Sequence, residues 1–135
     1  MTTERPPMPT DEPTHGDRID DLHQQYRQDR AAFEPPAEPP ADEEAMDYLR
    51  EGLGPTVMVY VDARTNHWVR FSEPEFEALH ETLNGYLELY TECYGVEMDA
   101  EFTIRTAAEL LVETHNIRDV AAMLTQVPAR ASPRR

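Results

Sequence analysis

In the part of the chain that reads as folded, His67, His80, Cys93 and His115 are the only imidazole or thiol side chains. No two of them stand at a characteristic metal-ligand spacing. His80 has Glu77 and Asn84 within one helical turn, which makes a solvated flank rather than a ligand set. Cys93 falls near a helix C-terminus beside Tyr94, where the helix dipole disfavours a thiolate, so an inert buried thiol is expected. A single cysteine also excludes an internal disulfide. The sequence has no glycine-rich phosphate loop, no nucleophile elbow and no carboxylate pair that spacing separates from the general acidity. These observations predict no catalytic residue, no metal site and no cofactor.

Arginine is distributed unevenly. Residues 1–101 hold 7 Arg against 24 acidic residues, whereas 102–135 hold 5 Arg against 3. The basic end invites an anionic partner, with Arg118, Arg130, Arg134 and Arg135 as candidate phosphate contacts on or after a C-terminal helix pair. The second helix of that pair is mostly Ala, Val, Met and Leu, which is poor material for reading bases. Nucleic-acid binding by a transcriptional regulator is therefore the alternative function. Ile104-Arg105-Thr106 and the following AAELLVETHNIRDVAAML resemble the helix pair around the second catalytic motif of tyrosine recombinases. Arg105 falls on that family's catalytic Arg, but Thr106 replaces its His, and the later Gly-His and Tyr nucleophile are absent. The resemblance implies a shared helix hairpin and no activity.

Two sets of apolar and aromatic residues suggest contact with another protein. Ile19, Leu22, Tyr26 and Phe33 recur at steps of three, four and seven between Asp17 and Phe33, a narrow stripe that needs something to pack on. Tyr60 and Trp68 share one face if their segments pair as antiparallel strands, and that face is a candidate interaction surface.

These residues are placed by the elements around them. Phe71-Ser72-Glu73-Pro74-Glu75-Phe76 carries a capping box, Ser72 with Glu75, and a hydrophobic staple, Phe71 with Phe76. The long helix it opens repeats Phe76, Leu79, Leu83, Leu87, Tyr90 and Tyr94, has Asn84-Gly85 in its middle, which permits a bend or a close crossing by another element, and stops at Gly95. Upstream, the EPPAEPPA stretch reads as a spacer and Asp42 caps a short helix ending at Gly52 and Gly54-Pro55. TVMVYV, at 56–61, and His67 to Phe71 read as two strands joined by a loop at 62–66. Phe102-Thr103-Ile104 reads either as a third strand or as the first turn of the next helix. Thr106 with Glu109, and Asn116 with Asp119, open the last two helices.

The fold expected is thus α+β: a two- or three-stranded antiparallel β-hairpin sheet packed with one long helix and a C-terminal helix pair. Residues 1–41 form a disordered Pro- and acid-rich arm with a conditional helix over 17–33, 42–127 the compact domain, and 128–135 a flexible Arg-containing tail. Net charge is −15 over 135 residues and every one of the 12 basic residues is Arg, a composition of salt-adapted proteins. No apolar run approaches the roughly 18 residues of a membrane span and no signal-peptide pattern is present, so the chain is expected in the cytoplasm, away from the membrane. The function expected is a small acidic interaction or assembly module without catalytic activity, binding an unidentified protein or a second copy of itself.

Overall fold

The computed structural model describes residues 14–67 and 70–129. Its centre is the helix that the capping box opens. Ser72 N–H donates to Glu75 Oε1 at 2.8 Å and Glu75 N–H to Ser72 Oγ at 3.3 Å, while Phe71 and Phe76 stack at 6.3 Å. This helix, α4 (Glu73–Cys93), buries residues around nearly its whole circumference, from Leu79 through Leu83, Tyr86, Leu87, Leu89 and Tyr90 to Cys93. A helix apolar on so many sides must be wrapped by other elements. At its end Gly95 takes φ +81°, which closes the last turn.

The expected β-hairpin is overturned: among the described residues there is no strand, and 42–67 is one continuous helical run. It comprises α2 (Asp42–Tyr48), a π turn (Leu49–Leu53), α3 (Gly54–Asp62) and a second π turn (Ala63–His67). Pro55 would break an ordinary helix, because it has no N–H for the carbonyl of Glu51 and its ring crowds that carbonyl. The π turn resolves this by widening the ladder just before the proline, with Gly54 N–H bonded to Leu49 O. The carbonyl of Glu51 instead accepts Gln25 Nε2 at 2.7 Å. The β-branched run 56–61 is helical because Val57 and Val59 are buried in the core, and burial outweighs a propensity difference of a few tenths of a kcal/mol per residue.

The remaining helices are α1 (His15–Ala32), α5 (Ile104–Thr114) and α6 (Ile117–Thr125). Thr14 caps α1, and Asp17 completes the box from the N3 position. Helix α1 lies along α4. Ile19, Leu22 and Tyr26 pack it on the core and polar pairs add to the attachment: Arg30 with Glu92 of α4 at 3.1 Å and Glu88 at 3.6 Å, and His15 with Asp62 of α3 at 2.9 Å. His23 Nε2 is 2.9 Å from Glu81 Oε1, but too poorly aligned for a hydrogen bond. At the middle of this contact Tyr86 Oη donates to Asp29 Oδ2 at 2.6 Å and accepts from Gln25 Nε2 at 3.0 Å. Gly52 and Gly85 allow it, because a Cβ on either would strike the ring of Tyr86 or of Tyr26 respectively. Phe102 to Ile104 is not a strand: Thr103 caps α5 and Ile104 is its first residue.

Candidate docking groove

Helix α4 sets where α5 can lie. Asn84 Oδ1 accepts the N–H of Phe102 at 2.7 Å and its Nδ2 donates to the carbonyl of Phe102 at 3.0 Å, a two-point grip on one residue's backbone. One turn later Glu88 Oε2 accepts the N–H of Ala100 at 2.9 Å. The segment before α5 is thereby fixed, and Thr103 Oγ1 accepts Thr106 N–H to start the helix. At the far end Tyr90 Oη donates to the carbonyl of Val127 at 2.8 Å and holds the chain after α6.

Anchored this way, α5 buries Ile104, Ala107 and Ala108, while α3 buries Thr56, Val57 and Val59. The two helices pack against each other and leave a groove along their outer side. One half is a cleft of about 410 Å³ lined by Gly54, Met58, Val61, Leu111, Val112 and Ile117, with His115 at its rim. The other, about 520 Å³, is lined by Tyr60, Val61, Arg64, Arg105, Glu109 and Val112 among others. Val61 and Val112 line both clefts, so the two adjoin along the α3–α5 contact. Increasing residue number on α3 pairs with decreasing number on α5, so the walls run antiparallel. Met58 is 45% exposed and Val112 57%, large apolar side chains left open to solvent in the groove's lining.

Charge changes along the groove. The Met58 half has no carboxylate in its lining, whereas the other half has Arg64 and Arg105 with Glu109. Arg105 Nε lies 3.2 Å from Glu109 Oε2 in an exposed pair of little energetic weight. Arg64 sits 5.9 Å over the Tyr60 ring, and no ion pair to it is found among the described residues.

The residues expected to meet a partner are dispersed. Ile19 is buried in the core, and Leu22 and Tyr26 pack on it. Phe33 tilts against Tyr48 with ring centres 6.2 Å apart. The stripe on α1 is therefore consumed inside the fold. Tyr60 stacks on Phe71 at 6.0 Å and also lines the groove. Trp68 lies outside the described residues, as do Arg130, Arg134 and Arg135. Arg118 is exposed at the start of α6 beside Asp119, and its charge bears on the hydroxyls of Tyr90 and Tyr94.

Sequence reasoning missed Met58, Val112, Leu111 and Ile117 as a group, because assigning 56–61 to a strand placed Met58 on the wrong element. Had α3 been read as a helix, Met58, Val61 and Thr65 would have formed an i, i+3, i+7 stripe. Burial pushes the Cys93 thiol up to about 12, with Glu44 and Glu92 adding to it, so this cysteine is a poor nucleophile. His80 packs against Phe76 at 4.9 Å. Among the described residues no three His, Cys, Asp or Glu side chains converge as a metal-binding set, and no helix is long and apolar enough to cross a membrane.

Residues 13–129 match a family described as a domain of unknown function (DUF8055), and the chain belongs to that family. The matched span takes in every helix from α1 to α6. No curated protein and no solved structure matches the chain.

Proposed function

We propose that this member of the family is a cytoplasmic protein-docking module that receives its partner in the groove between α3 and α5. The observation carrying the reading is the pair of adjoining clefts that share Val61 and Val112 between α3 and α5, with Met58 and Val112 about half exposed on a chain of net charge −15. Apolar side chains left in a concave strip surrounded by charge are what a protein interface needs at its centre. The arm does not serve that role in this reading, since its apolar stripe is packed on the core.

The test is a photo-crosslinking residue placed in the living source cell at Met58 or Val112, with Glu43 and Glu97 as exposed controls. A discrete adduct formed from the groove positions and absent from the controls is expected. Absence of any adduct, or equal adducts from all four positions, would overturn the proposal.

A further inference from the structure

Resting on the docking reading, we infer that the groove takes a three-turn amphipathic helix that carries a carboxylate at the end lying over Arg64 and Arg105. Helical form follows from the walls. Both are helices whose backbone groups are already bonded, and among the described residues no strand offers an edge for β-addition. An occupant must therefore satisfy its own N–H and C=O groups, which a helix does and an extended peptide in an apolar groove does not. A polyproline ligand needs a run of aromatic walls, and Tyr60 is the single aromatic residue in the lining.

Length follows from the same geometry. The lining on α5 extends from Arg105 to His115, ten residues along the axis, or about 15 Å at the usual helical rise. Over that distance an occupant presents apolar residues at i, i+3 or i+4, and i+7, matching Met58 and Val61 on one wall and Leu111 and Val112 on the other. Met58 suits a docking wall because its unbranched thioether chain re-packs around different anchors.

Polarity follows from the arginines. The lining holds two guanidinium groups against one carboxylate, in a chain of net charge −15. A carboxylate on the partner is better accepted at this end of the groove than at the Met58 end, which sets the direction of the docked helix. Reversing the helix would put that carboxylate in the Met58 half, whose lining contains no Lys or Arg.

The experiment pans a displayed library of random peptides about 15 residues long, long enough for three to four helical turns, against the full chain. Enriched peptides are expected to show the i, i+3/i+4, i+7 apolar pattern with Asp or Glu towards one end, and to lose about tenfold or more in affinity against Arg64→Glu/Arg105→Glu. Both arginines are exposed, so the variant should fold, and its unchanged helical spectrum is the control. Enrichment of basic or extended peptides, or affinity indifferent to the arginines, would overturn the inference while groove-dependent crosslinks leave the docking reading standing. No enrichment together with no crosslink would end both. Peptides displaced by unlabelled copies of the chain itself, with a dimer by sedimentation, would reassign the groove to self-association and overturn the acidic-helix inference.

Discussion

Replacing Gly52 by Ala should destabilise the protein, although Gly→Ala within a helix normally stabilises by about 1 kcal/mol. A Cβ at position 52 would lie 2.5 Å from both Cε1 and Cζ of Tyr86, where ordinary carbon contacts are about 3.5–4.0 Å. The ring has nowhere to retreat: Tyr86 is fully buried, with Tyr26 at 5.5 Å and Tyr48 at 6.1 Å. Overpacking of this kind costs about 1–3 kcal/mol. Moving the ring by roughly 1 Å also breaks the 2.6 Å bond to Asp29, a hydrogen bond to a charged group that contributes about 1.5–3 kcal/mol. After the propensity gain is subtracted, a net loss of about 1.5–5 kcal/mol remains, equivalent to a Tm fall on the order of 10 °C. Urea and thermal denaturation followed by circular dichroism measure it. In a Tyr86→Leu background the obstruction is gone, so adding Gly52→Ala should be neutral or mildly stabilising. A single variant more stable than the parent, or an equal cost in both backgrounds, would refute the packing of Tyr86 on the π turn.

Three further outcomes follow from the same contacts. Asn84→Ala leaves the N–H and C=O of Phe102 without partners and should cost about 2–3 kcal/mol, with faster amide exchange at Phe102; unchanged exchange there would contradict the grip described. Removing residues 1–41 should abolish cooperative unfolding and produce dye-binding apolar surface, because α1 covers the Tyr86 side of α4; a truncated chain that melts as sharply as the parent would show α1 to be dispensable. Burial raises the hydroxyls of Tyr86 and Tyr90 above the ordinary tyrosine value, assisted respectively by the hydrogen bond to Asp29 and the neighbouring Tyr94. Their contribution to stability is complete below the unfolded value of about 10 and declines as pH rises above it, so part of the phenolate absorbance should appear together with loss of helicity; full titration with the fold intact would contradict their burial.

What the sequence discloses of this fold is local, and what it hides is set by tertiary surroundings. The box of Ser72 and Glu75, the stop at Gly95 and the cap at Asn116 are read from three or four neighbouring residues whose hydrogen bonds do not depend on the rest of the chain. Residues 56–61 go wrong because a β-branched run buried on two sides has no periodicity, and Gly52, Gly54 and Pro55 look like a helix end. Here the glycines admit an aromatic ring and a wider turn, and the carbonyl freed by Pro55 is bonded by Gln25, 26 residues away in sequence. Glu88 and Glu92 look in the sequence like ordinary acidic surface, yet they hold Ala100 and Arg30, partners visible only once α1 and the segment before α5 are in place. The groove suffered from the same cause: Tyr60 was legible as an interaction residue, but Met58 and Val112 acquire meaning only when α3 is helical and lies beside α5.

Methyl resonances of the methionines offer the most direct check on docking between α3 and α5. Met58 lines the groove, whereas Met46 belongs to α2 and Met98 to the segment before α5, away from the lining. With a selected peptide at saturation, the Met58 methyl should shift and the Met46 and Met98 methyls should stay in place. A Met58 signal unmoved under saturating peptide, or shifts confined to Met46 and Met98, would contradict docking in the α3–α5 groove.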